Sequence, residues 1–222
     1  MTKRFEKQLN SFKYKGEPIK ITVGTLVLCG FCILLLIIAT FTQITITNPF
    51  VSFNALSLSG NEYEIPQNLS RTYGYIPQIP TIFFIVALLG RKFGILTILG
   101  YIILGLFFPI FALGGGISYL FEYGFGYIMA FIPAVFFTGT LLKIKTDVLR
   151  IMLNAILGVL TIHILGVLYM LFVGALRHAP MDLILSWISS LSGVQIFYDM
   201  FFTILAIYFG RFARKFFWII MC

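Results

Sequence analysis

What most constrains this chain is how far it runs without a charge. No Asp, Glu, Lys or Arg occurs from 21 to 61, a run of 41 residues. Further uncharged runs cover 72–90, 93–121, 123–142 and 151–176, and 183–198 and 200–210 flank the lone Asp199. A helix needs about 20 mostly apolar residues to cross a bilayer. The runs predict an all-α membrane protein with six transmembrane helices, at about 21–41, 77–90, 93–109, 125–142, 149–173 and 195–213. The second begins at Pro77 and Pro80, and proline is tolerated in a first helical turn because its missing N–H would be unpaired there anyway.

Composition agrees. Hydrophobic residues make up 59% of the chain and charged residues 11%, against about 25% charged in a soluble domain. A soluble fold of this length could not hide so much apolar surface. That excludes a soluble enzyme, a disordered chain and a nucleic-acid-binding domain. The net charge of +8 has another origin. With six spans both termini share one side, which collects 14 of the 16 Lys and Arg residues. Only Arg71 and Arg177 fall on the other. Positive charge gathers on the cytoplasmic side, so both termini are expected there. The basic tail at 1–20 resembles the front of a signal peptide, but the apolar stretch behind it far exceeds the roughly 7–15 residues of such a peptide. A retained first span is expected.

Few polar residues remain to carry chemistry. Cys29 and Cys32 have a C-x-x-C spacing, but they lie mid-span without further metal ligands and read as helix packing. Cys222 ends the chain and forms no prenylation box. Asn68-Leu69-Ser70 fits a glycosylation sequon, relevant only in a eukaryotic secretory lumen. A long outer loop is expected at about 42–76, and loops of that length are usually functional or disordered. Gly114, Gly115 and Gly116 form a second outer loop in which the backbone can approach a ligand closely. Asp199 is costly inside a span and is expected to face the protein interior with a function. Gln78 can donate and accept. His163 reads as a packed neutral histidine bonding a helix carbonyl or a tyrosine, and Glu122 as solvated. The chain has no P-loop, H-E-x-x-H or G-x-S-x-G pattern, which favours transport or binding over catalysis.

The stretch from Gln78 to Gly139 carries a family resemblance. It contains Leu89-Gly90, Tyr101 ahead of Leu104-Gly105, and Pro109-Ile110-Phe111-Ala112 leading into Gly114–Gly116. Gly126-Tyr127 follows, then His163 to Tyr169, and Phe197-Tyr198-Asp199. Over about 76–210 this resembles the BioY family, the biotin-binding S component of energy-coupling-factor vitamin transporters. The family commonly has a lysine three residues after its aspartate, where this chain has Phe202. The resemblance implies a single integral membrane domain over 1–222 that captures biotin at the cell membrane. A transmembrane coupling protein and two ATPase subunits would supply the energy, with no cofactor, metal or nucleic acid. It implies that Asp199 accepts from the ureido N–H groups, that Gln78 and Tyr127 add polar contacts, that Tyr101 forms a wall, and that Gly114, Gly115 and Gly116 close over the ligand. Thr25 and Cys29 keep the small-residue spacing that docks the coupling protein. Three other readings stay open: an S component for another vitamin, an intramembrane enzyme using His163 and Asp199, and a membrane scaffold.

Overall fold

The computed structural model describes residues 22–47, 72–112, 114–142 and 147–221. Helix α1 spans Val23–Phe41, strands β1 and β2 span Ile44–Thr47 and Thr72–Tyr75, and α2 spans Gln78–Phe107. A 3-10 turn at Ile117–Phe121 precedes α3 (Phe125–Leu141), α4 (Val148–Leu176), α5 (Met181–Ser192) and α6 (Gln195–Met221). The basic tail, Arg71, Lys143, Lys145, the sequon and Cys222 lie outside the described residues.

This is a membrane protein. Four stretches are long and apolar enough to cross a bilayer: Val23–Phe41, Gln78–Phe107, Val148–Leu176 and Met181–Phe217. Phe125–Leu141 is shorter and also apolar. Large apolar side chains point outward, among them Val23, Val27, Phe31, Phe107, Phe172 and Phe197. Exposing them to water would cost roughly 25 cal/mol for each Å², a penalty that lipid removes. Helices suit this medium because each pairs its backbone groups within itself.

Helix α2 holds the architecture together. A straight helix of 30 residues would be about 45 Å long. Gly90 interrupts it with φ 80° and ψ 176°, a backbone that glycine adopts without a Cβ penalty. The chain folds back there. The Gln78 side-chain amide donates to the Tyr101 hydroxyl at 3.0 Å, although a straight helix would separate the two residues by about 35 Å. Nearer the bend, Gly94 faces Val86, whose Cα lies 3.5 Å from the place a Gly94 Cβ would take. The parts of α2 before and after Gly90 are thus the two legs of one helical hairpin.

The other helices pack around it. Helices α1, α3 and α6 contact α2, and α3 runs along α4. Between α3 and α4 each backbone makes room for the other's tyrosine. A side chain at Gly126 would strike the Tyr169 ring, and one at Gly166 would meet the Tyr127 ring at 2.6 Å.

Two elements close one end of the molecule. Strands β1 and β2 pair antiparallel with Ile44 opposite Tyr75 and Thr47 opposite Thr72, giving structure to both ends of the loop at 42–76. Helix α5 lies between the expected spans 149–173 and 195–213. At 12 residues it is about 18 Å long, too short to cross. It buries Ile184 and packs Trp187, Ile188 and Leu191 onto the core while leaving Met181 and Leu185 exposed.

A valine at Gly90 should introduce backbone strain of about 1–3 kcal/mol and lower the melting temperature in detergent by several degrees. Gly30→Ala, where nothing lies within 4 Å of the place a Cβ would take, should leave it unchanged. Equal melting of the two variants would remove the bend's dependence on glycine.

Candidate functional site

Among the described residues the most deeply buried carboxylate is Asp199 on α6, with no solvent exposure. Such a group must be paired, because leaving it bare in an apolar interior is prohibitive. Tyr75 of β2 donates its hydroxyl to Asp199 Oδ1 at 2.9 Å. His163 Nε2 of α4 lies 3.2 Å from Oδ2. The other ring nitrogen, Nδ1, is 2.9 Å from Ser192 Oγ on α5. Ser192 Oγ is in turn 2.5 Å from the Tyr127 hydroxyl on α3. Five side chains from five elements form one continuous buried chain.

Its direction follows from donor counting. With Asp199 ionised and His163 neutral, the ring carries its proton on Nε2, donates to Asp199 and accepts at Nδ1. Ser192 therefore donates to His163 and accepts at Oγ from Tyr127. The Tyr127 hydroxyl has used its only proton, and what it can still offer a neighbour is an acceptor lone pair.

That neighbour space is a cavity of about 290 Å³ at the end closed by the strands. Gln78, Tyr119, Tyr127, Phe131, Trp187 and Gln195 line it, with Gln43 and Gly74 on the strand side. The wall is mostly apolar with a few placed polar groups, the usual make-up of a small-ligand site.

The residues singled out from sequence divide clearly. Gln78 and Tyr127 both line the cavity. Tyr101 is fully buried behind Gln78, its hydroxyl also 3.1 Å from Thr40 Oγ1. Asp199 is not in the lining itself, but it reaches the wall directly through a side-chain hydrogen bond with Gln195 and indirectly through His163, Ser192 and Tyr127. Gly114, Gly115 and Gly116 form a tight turn, with φ 126° at Gly114 and 89° at Gly116. Gly114 and Phe111 exchange backbone hydrogen bonds at 2.8 and 3.0 Å, and Gly116 N–H donates to Gly105 O at 2.9 Å. A side chain at Gly115 would collide with the Phe108 carbonyl. The cavity is reached instead by Tyr119, three residues on. Thr25 and Cys29 are buried at 1% and 5% exposure, so they pack α1 inward and offer no outer surface. Glu122 pairs with Arg177 at 3.7 Å, both well exposed, which adds little stability.

Sequence reasoning missed Tyr75, Ser192 and Trp187. Tyr75 sits at the edge of the long loop, and it is held by stacking on Phe202 with ring centroids 5.2 Å apart. Phe202, where the related family commonly has lysine, thus carries an aromatic neighbour. Trp187 was legible in the amphipathic spacing of 184, 187, 188 and 191.

The contacts from Ser192 to His163 to Asp199 follow the order of a catalytic triad. A nucleophile needs its oxygen open to a carbonyl carbon. Ser192 Oγ is buried, already bonded to Tyr127, and is not part of the cavity lining. The arrangement is suited to fixing side chains rather than to acyl transfer.

The model of the BioY family matches residues 72–217. No curated relative matches the chain. Among solved structures the chain is similar to the S component for biotin from an ECF-type ABC transporter. The TM-score is 0.61 over 87% of this chain and 92% of that one, at 22% identity. At that identity the likeness establishes a shared fold.

Replacing His163 by Leu should destabilise the protein by about 3–5 kcal/mol, the usual result of leaving one partner of a buried pair alone. Changing His163 and Asp199 to Leu together should recover much of that loss. Thermal unfolding in detergent reads both, and a double variant no more stable than the single one would show that the two side chains do not compensate each other.

Proposed function

We propose, from the premise that this chain belongs to the BioY family, that it is the substrate-binding subunit for biotin uptake across the cell membrane. The observation that carries this is the convergence of Gln78 and Tyr127 on one largely apolar cavity. Biotin has an apolar bicycle, a ureido group with two N–H donors and one carbonyl acceptor, and a carboxylate tail. The Tyr127 oxygen, left with only an acceptor site, suits a ureido N–H. The Gln78 amide can meet either an N–H or the carbonyl. Apolar walls such as Phe131 and Ile128 suit the bicycle.

The remaining site residues have indirect roles in this reading. Asp199 acts through His163 and Ser192 to hold the Tyr127 hydroxyl in its accepting orientation. Tyr101 fixes the Gln78 side chain. The turn at Gly114, Gly115 and Gly116 places Tyr119 against the ligand.

The chain forms one integral membrane domain over 1–222 with six crossings: α1, the two legs of α2, α3, α4 and α6. Both termini face the cytoplasm, supported by 14 of 16 Lys and Arg on that side and the positive-inside rule. Energy comes from a separate transmembrane coupling protein with two ATPase subunits, since the sequence has no P-loop pattern. With Thr25 and Cys29 turned inward, the coupling protein meets the outward face of α1, at Val23, Val27 and Phe31.

Titration calorimetry of the detergent-purified protein should give tight, one-to-one biotin binding. Tyr127→Phe and Gln78→Ala should each weaken it about tenfold, or ~1.4 kcal/mol. Asp199→Asn should weaken it comparably although Asp199 does not line the cavity. A folded sample that binds no biotin would sink the assignment, and an unchanged affinity for Asp199→Asn would remove that residue from the site.

A further inference from the structure

A second cavity, of about 610 Å³, opens at the opposite end of the helices. It is bordered by the bend of α2 at Gly90 and Arg91, by Gly139 and Leu142 where α3 ends, by Ile151 near the start of α4, and by Tyr208 to Lys215 on α6. Four cations line it: Arg91, Arg211, Arg214 and Lys215. Among the described residues none of these four is in an ion pair with a carboxylate.

The positive-inside rule accounts for cations at this end of a membrane protein. It does not account for their convergence on one cleft, which carries a cost in mutual repulsion. Two of them are held in place. Arg91 donates from Nη1 to Thr140 Oγ1 at 2.9 Å and lies over the Phe136 ring, 5.1 Å from its centroid. The Arg214 guanidinium lies against the α2 bend, 3.7 Å from where a Cβ of Gly90 would stand. The rest of the lining is apolar, with Val86, Ala87, Ile151 and Phe212, and Phe212 is strongly exposed. The cleft therefore joins fixed positive charge to an apolar wall open to lipid.

We propose that this cleft binds the phosphate of an anionic phospholipid, with Arg211 and Arg214 on the headgroup and the acyl chains lying along Phe212. Guanidinium groups match phosphate oxygens with paired N–H donors. Basic pockets between membrane helices are suited to anionic headgroups. The apolar wall selects a lipid over free phosphate, which would gain nothing from Phe212. A lipid seated there bridges the α2 bend and the end of α6, two elements far apart in sequence.

Native mass spectrometry of the full detergent-purified chain, titrated with phosphatidylglycerol, phosphatidylcholine or inorganic phosphate, tests this. Phosphatidylglycerol should be retained at least about tenfold more tightly than phosphatidylcholine, the ratio expected if the guanidinium pairs add roughly 1.4 kcal/mol. The double substitution Arg211→Gln and Arg214→Gln should abolish that preference, whereas Arg211→Lys with Arg214→Lys should keep most of it. Melting without added lipid checks that each variant is folded. Equal retention of the two lipids by the unaltered protein would overturn the proposal, whatever the variants do. So would unchanged retention in the Gln pair, or full displacement of phosphatidylglycerol by millimolar inorganic phosphate, which would identify a free-phosphate site.

Discussion

The rest of this structure depends on a carboxylate buried where it cannot be hydrated. Asp199 has no exposure, and its oxygens are met by Tyr75 from the strand pair and His163 from α4. Through Ser192 the same chain reaches α5, and through Tyr127 it reaches α3. Apolar packing between helices in lipid gains little from the hydrophobic effect, since lipid tails are as apolar as leucine. Directional hydrogen bonds are therefore what define a unique arrangement. A network that is fully satisfied rigidifies, while one with a missing member leaves a costly orphan. The cost of burying Asp199 is thus also the reason that five elements share one register.

The same logic explains why the two closing elements are ordered. A two-stranded ribbon is marginal by itself, and a 12-residue helix is short for independent stability. Tyr75 anchors the ribbon by one hydrogen bond to Asp199 and by ring contacts with Tyr198 and Phe202. Ser192 anchors the last turn of α5 through His163. The cavity between them is accordingly bounded by elements that the buried carboxylate holds in place, without itself touching the cavity.

Much of the helical framework was legible in the uncharged runs, because lipid imposes a minimum length on any spanning helix. α1 and α3 fall within a few residues of their expected ends, and α4 and α6 extend beyond theirs. Gln78 and Tyr127, which share the cavity, were marked by family-like motifs. The network was not legible. Tyr75 and Asp199 are 124 residues apart and His163 and Ser192 are 29 apart, and no local spacing announces such pairs. Gly114 to Gly116 show a related ambiguity. Three glycines signal close backbone approach; at Gly115 what approaches is the chain's own Phe108 carbonyl, while at Gly114 and Gly116 nothing lies within 4 Å of the place a Cβ would take. Thr25 and Cys29 show a parallel ambiguity: small residues on a membrane helix permit close packing, and only the fold decides whether the neighbour is another subunit or the same chain.

Helix α6 links the two ends of the molecule. Gln195 borders the cavity beside the strands, and Arg211 borders the basic cleft. The helix between them is about 24 Å long, close to the roughly 30 Å thickness of a hydrocarbon core. Between them Asp199 is the sole carboxylate on the helix, and it is hydrogen-bonded from within the fold. Gly210 lets α6 approach the first leg of α2 so closely that an added side chain would lie 2.6 Å from the Phe84 carbonyl. That contact sits just short of the Gly90 bend, where Arg214 also rests. One helix thus carries both a member of the buried hydrogen-bond chain and two of the cations that border the basic cleft on α6, Arg211 and Arg214.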